Sequence, residues 1–274
     1  MEPDTPPSET VIRDETVIWR YMDFPKFFAV LCKQGLWFAK ATTLRDDPWE
    51  VFGKAERLTG QPAGEWQEAP DGRKTRTISL SEMIARFSQT SAEYIDHSPE
   101  HLYVNSWCSG PESMAMWEIY GSDGFGVALK SSVGRYKRAA NFIVDDSHFC
   151  FEEVEYHPSL ESVPDLQLDF RQSIPMPGRS LRSKILKLGR HKRECFWHEH
   201  EWRALLYQDA RPEITGIDVG FDLEQLISEV FVGPRAGVFL VETAESIMEK
   251  FQFRKPCKKS DLLSSPRREA APAG

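Results

Sequence analysis

HLYVNSWCSGPESMAMWEIYGSDGFGVALKSS, residues 101–132, decides the fold class. The β-branched and aromatic residues up to Ser109 read as a strand, which turns on Gly110 and Pro111. Met114, Met116, Trp117 and Tyr120 then fall at helical spacing, and Gly121 ends the helix. Gly124 and Gly126 open a second strand through Val127, Ala128 and Leu129.

Upstream, TVIWRYM (16–22) is a strand. Asp23 caps a helix with Pro25 near its start, an apolar face of Phe27, Phe28, Val30 and Leu31, and Gly35 at its end. LWFAKA (36–41) is a strand, and TTLRDDPWE (42–50) a polar loop. Residues 77–96 carry helical spacing. Downstream, VGRYKRAANF begins a helix or turn, HFCFEEVEYH (148–157) is a strand, and 157–178 is a Pro-rich connection. SLRSKILKLGRHKREC (180–195) reads as a basic helix, and EHEWRALLYQ (199–208) as a strand. LISEVFVGPRA (226–236) is the last strand and FLVETAESIMEKF the last helix. Without a clean βαβ repeat, the expected class is α+β: a compact single domain with a mixed, largely antiparallel sheet flanked by helices. That domain spans 15–256, with an irregular insertion near 53–76. Tails 1–14 and 257–274 are expected to be disordered.

The chain has 274 residues, 41% hydrophobic and 28% charged, the balance of a globular protein. Its net charge of −8 argues against broad electrostatic binding to nucleic acid. Local basic segments lie at 179–193 and 254–259. The five cysteines are scattered without a C-x-x-C pair, so neither structural zinc nor a disulfide framework is expected. The acidic, Pro-rich start is unlike a signal peptide, and no apolar run approaches 18 residues. The expectation is a cytoplasmic protein that does not engage a membrane.

Three stretches carry candidate chemistry. In the first, Ser106, Cys108 and Ser109 end a strand. The helix after it opens near Glu112 and Ser113, where its amides suit an anionic group. Trp117 and Tyr120 share a helical face. Trp117 reads as structural, and Ser106 and Tyr120 as better placed to touch ligand. The plain alternative is a core helix pinned by aromatics.

The second stretch is FWHEHEWRALLY (196–207). On a strand, Glu199, Glu201 and Arg203 fall on one face, and His198, His200 and Trp202 on the other. Arg203 would keep Glu201 ionised. The alternative is a solvated, self-paired strand end. His198 and His200 lack a third ligand at a usual spacing, so no metal is expected. In the third stretch, Arg20 and Tyr21 end the first strand near the Asp46–Asp47–Pro48 turn. No complete catalytic motif is present.

VIWRYMDFPKFFAVLCKQGLWFAKATTLRDDPWE, SWCSGPESMAMWEIYGSDGFGVAL, EHEWR and EVFVGPRA together resemble a bacterial family known as domain of unknown function 2971. The layout also resembles, more distantly, the ADP-ribosyltransferase fold. That resemblance implies NAD as substrate, a nucleotide-like ligand, and a protein or nucleic-acid target. Glu201 and Glu199 would be the late acid pair. Arg20, Tyr21, Ser106, Trp117, Tyr120 and Arg203 would contact substrate, and the acid pair, the ring-bearing helix and Arg20 would share one hollow. The family's usual His or Ser-Thr-Ser element is absent in recognisable form. A role in phage defence or as a toxin is implied. The alternative is a non-catalytic binding or sensing module of such a system.

Overall fold

The computed structural model describes residues 14–44, 67–68, 74–75, 101–121, 124–140, 148–158, 186, 189–208 and 213–264. In chain order its elements begin with β1 (Val17–Asp23), α1 (Phe24–Lys33), β2 (Gly35–Lys40), β3 (Gln67–Glu68), β4 (Lys74–Thr75) and β5 (Leu102–Ser109). Next come α2 (Met114–Tyr120), β6 (Gly126–Ser132), α3 (Val133–Ala139), β7 (Phe149–Glu153), β8 (Glu155–His157) and β9 (His191–Arg193). The last are β10 (Glu201–Tyr207), β11 (Gly216–Gly220), α4 (Leu223–Leu226), β12 (Glu229–Val232), α5 (Val238–Lys250) and β13 (Cys257–Lys259). Short 3-10 turns cover Ala41–Thr43 and Glu194–Glu199. The chain packs as two compact units: Met1–Gly35 with Cys108–Phe142 and Gly220–Gly274, and Leu36–Trp107 with Ile143–Val219. Strands and helices mix as the α+β class requires, and the strand pairing is largely antiparallel.

In the first unit β1 pairs antiparallel with β6 along its whole length, from Val17 opposite Ser132 to Asp23 opposite Gly126. Ile18, Trp19, Tyr21 and Met22 are all buried, so β1 is covered on both faces. Its last residue caps α1: the Asp23 carboxylate accepts from the Lys26 N–H at 2.8 Å. Helix α1 buries Phe27, Val30 and Leu31. Gln34, not Gly35, takes the left-handed closing position, at φ 48°. Trp19, Tyr21, Met116, Trp117, Ala128 and Phe231 form one core cluster. Antiparallel to β6 lies β12, and β13 lies parallel to β12, Val230 opposite Cys257. This corrects the expected disordered tail from residue 257 and the expectation that β12 is the last strand. The segment CKK shows no apolar alternation. Its order comes from pairing and from Lys258, which meets Glu229 at 2.6 Å.

In the second unit β2 pairs antiparallel with β5, Ala39 opposite Val104, and β10 lies between β5 and β7. Leu102, Val104, Leu186, Leu205 and Tyr207 form its core. Every residue of β10 is buried. The run 148–157 is two strands, not one. It breaks at Val154, whose N–H donates to the Glu201 carbonyl at 2.8 Å. Strand β7 stays on β10, and β8 leaves to pair in parallel with β9. The helix expected over 180–195 is likewise corrected at its end, where 191–193 are strand and 194–199 a 3-10 turn. Strand β11, Gly-Ile-Asp-Val-Gly, is too short and Gly-flanked to stand out in the sequence. The expected loop at 45–50, helix over 77–96 and connection over 159–178 lie outside the described residues. Of the insertion, only the β3–β4 pair is described.

Candidate acid centre and aromatic wall

In the second unit the expected acid pair is assembled, by a route different from the expected one. Glu199 ends the 3-10 turn instead of lying in a strand, and His200 follows in the left-handed region at φ 42°, ψ 53°. That turn delivers Glu201 as the first residue of β10. Arg203 sits two residues on, on the same face. It donates Nε to Glu201 Oε1 at 2.7 Å and Nη2 to Oε2 at 2.9 Å, a two-pronged clamp. Its third prong, Nη1, donates to the Gly189 carbonyl at 2.9 Å. A Cβ at 189 would stand 2.8 Å from Leu205 Cδ1, so that leucine would have to shift to admit one.

Lys192 joins the carboxylates. Its Nζ donates to Glu199 Oε2 at 2.8 Å and to Glu201 Oε2 at 3.0 Å. Tyr156 accepts the Glu201 N–H at 2.8 Å, and Ser106 hydrogen-bonds the Glu201 side chain. Lys192, Glu199, Glu201 and Arg203 are all buried, Arg203 with 0% exposure. The strand end is therefore self-paired but not solvated. Burial pushes the Glu201 pKa up. Arg203 first and Lys192 next, helped by hydrogen bonds from Arg203 and Ser106, outweigh burial and bring it to about 2. Burial also pushes the Tyr156 phenol well above its ordinary value. At neutral pH Glu201 is therefore ionised between Arg203 and Lys192.

Lys192 and Tyr156 escaped the sequence reading. In R-H-K-R a helical reading hides the alternation that sends Lys192 and its two neighbours to opposite faces. His198 and His200 are exposed.

The first unit holds the aromatic candidates Tyr21, Trp117 and Tyr120. Tyr21 and Trp117 meet edge to face, ring centres 5.0 Å apart. Tyr21 Oη accepts the Ser113 N–H at 3.0 Å, and burial pushes its phenol pKa up. Trp117 Nε1 donates to Glu112 at 2.8 Å. Both rings are buried, and Tyr120, three residues on, is 37% exposed. Arg20 is half-buried and lies near enough to the buried Tyr136 for its charge to act on that phenol. The structure thus brings Tyr21 to Trp117 in this unit, and Ser106, Glu199, Glu201 and Arg203 together in the other.

A hollow of about 290 Å³, counting space shared with solvent, opens beside α2 in the first unit. Met114, Trp117, Gly121, Gly126 and Gly233 line it, and Glu118 and Arg235 form an ion pair at it. Gly121 and Gly126 are required by backbone packing: a Cβ on Gly126 would meet the Gly121 Cα at 2.7 Å. For a metal, the described residues offer Glu155, His157 and His191, whose ligand atoms lie within 4.8 Å of one another. No described helix is long and apolar enough to cross a membrane.

No protein-family model matches the chain, and no curated protein matches it. Among solved structures it is similar to DarT of Thermus sp. 2.9 in complex with NAD+. The identity is 13% and the TM-score 0.37, over 90% of this chain and 96% of that one. The same DarT in complex with ADP-ribosylated single-stranded DNA matches at 12% identity and a TM-score of 0.36, over 90% and 94%.

Proposed function

We propose that the chain is a nucleotide-binding enzyme that uses NAD as substrate for ADP-ribosyl transfer, with Glu201 as its principal acid and Glu199 as the second. What supports this reading is the state of Glu201: a desolvated carboxylate kept ionised at neutral pH, with a hydroxyl, that of Ser106, already hydrogen-bonded to it. Cleaving the bond from the ribose to nicotinamide sends the electron pair out with nicotinamide and leaves an oxocarbenium-like ribose. An ionised carboxylate in a site of low dielectric stabilises that charge and accepts a ribose hydroxyl. The acceptor's nucleophile then closes on the ribose carbon and gives up its proton. In the same reading Arg203 and Lys192 hold the acid charged. The target is a protein or a nucleic acid, and the setting is phage defence or toxicity.

A second reading has its own observation. Glu201 is only 2% exposed, and Arg203 and Lys192 already occupy both its oxygens. That favours a non-catalytic binding module in which the cluster is purely architectural.

The deciding experiment incubates the full chain with NAD+, alone and with single-stranded DNA, and follows nicotinamide release and ADP-ribose transfer. The enzyme reading expects turnover that falls at least a hundredfold in Glu201→Gln, with circular dichroism showing the variant folded. Absence of turnover and of an NAD-dependent thermal shift in the unaltered chain supports the second reading. Turnover unchanged in a folded Glu201→Gln removes Glu201 from the chemistry.

A further inference from the structure

Strands β8 and β9 form a two-stranded parallel ribbon, Glu155 opposite His191, Tyr156 opposite Lys192, His157 opposite Arg193. Alternation gives the ribbon two chemical faces. Tyr156 and Lys192 point to Glu201. Glu155, His157 and His191 converge on one another. His157 Nε2 stands 2.9 Å from His191 Nδ1, and His191 Nδ1 stands 3.6 Å from Glu155 Oε2.

We propose that Glu155, His157 and His191 form a binding site for a divalent transition metal of the zinc class, with a fourth coordination position open to solvent. Two imidazole nitrogens and one carboxylate oxygen are a donor set that suits zinc, cobalt and their neighbours better than magnesium or calcium. Metal–ligand bonds of about 2.1 Å at a tetrahedral angle place neighbouring donor atoms roughly 3.4 Å apart. The observed 2.9 and 3.6 Å lie on either side of that value, so small rotations of the His157 and Glu155 side chains seat an ion without moving backbone. The carboxylate is already oriented from behind. Arg190 Nη2 holds Glu155 Oε1 at 2.6 Å, leaving Oε2 directed at the histidines. Outer partners of this kind fix a metal ligand's direction. Arg190 also meets Glu152 at 2.8 Å, so two carboxylates share one guanidinium.

Access fits as well. His191 is buried, His157 half-buried and Glu155 exposed, so an ion enters from the Glu155 side and keeps a water or an exogenous ligand there. The site is independent of the acid centre's chemistry, and it would pin β8 to β9. His198 and His200, the histidine pair that the sequence draws attention to, take no part.

The test uses the full chain stripped with a chelator and titrated with Co2+, whose visible absorption reports its coordination, then with Zn2+ in competition. The expected result is a saturable spectrum at one equivalent per chain, displaced by Zn2+ and untouched by Mg2+. Its dissociation constant should rise at least tenfold in both His157→Gln and Glu155→Gln and stay unchanged in His198→Gln. Glu155 is exposed, so Glu155→Gln decides the matter alone if His157→Gln does not fold. No saturable spectrum, absorption dominated by thiolate ligands, or an unchanged constant in a folded Glu155→Gln or His157→Gln overturns the assignment.

Discussion

Arg203 has no exposed surface, and each of its three nitrogens donates to Glu201 or to the Gly189 carbonyl. Removing it leaves a buried carboxylate with Lys192 as its main cation, and breaking a buried pair from one side costs about 3–5 kcal/mol. Arg203→Met is therefore expected to destabilise the chain by about that amount in urea denaturation. The double change Glu201→Met with Arg203→Met is expected to cost clearly less, because no isolated charge remains. The same pair sets a pH dependence. The Glu201 pKa falls from 4.5 to about 2 on folding, so as pH drops the unfolded chain binds that proton first. The stabilisation is complete above about pH 5 and is lost progressively toward pH 2, an effect on the order of 3 kcal/mol. Urea midpoints at pH 6 and pH 3 check it, and the drop should shrink in the double variant. At this scale the sequence told part of the story. Glu201 and Arg203 lie on one strand at even spacing, and period-2 alternation alone puts them on one face. Glu199 reaches the same cluster through the left-handed His200, which no alternation rule anticipates. Lys192 arrives from β9, which is ordered by its pairing with β8, Tyr156 opposite Lys192, and spacing does not encode that pairing.

At the scale of elements, the strongly patterned pieces were legible. Strand β1, helix α1 with its Asp23 cap, β5, α2, β6 and α5 carry period or capping signals that local chemistry enforces. The short strands β9, β11 and β13 were not, since three to five residues hold too little pattern to separate strand from turn. Their order is imposed by partners. Strand β13 shows this most clearly: it is mostly exposed, yet it covers the edge of β12, and Lys259 Nζ donates to the Ala236 carbonyl at 2.6 Å. Truncation after Pro256 is expected to bare the backbone groups of Glu229–Val232 on that side. An uncovered strand edge invites pairing with another chain. The truncated protein should melt several degrees lower and self-associate, readable by light scattering.

For the molecule as a whole, composition was informative about class and about charge. The α+β class follows from interleaved strand and helix signals without a βαβ repeat. The net charge of −8 matters for any nucleic-acid target. Of the basic segment 254–259, Lys255 is spent on Glu224 and Lys258 on Glu229, so much of that patch is internally neutralised. Any binding to single-stranded DNA, measured from low to physiological salt, is expected to show a log–log slope of about −2 or shallower, the signature of roughly three phosphate contacts. A slope much steeper than that would require a basic surface beyond these residues.

The two-faced ribbon of β8 and β9 also carries a lesson about tolerated sequence change. With three residues a side, it has no slack to absorb a shift in register. Inserting or deleting one position in Glu155-Tyr156-His157 would swap its sides, driving an imidazole toward Glu201 and swinging Tyr156 away from it. Length variation among related chains should therefore collect in the connections outside this ribbon, and one lost codon here should do more harm than most single replacements.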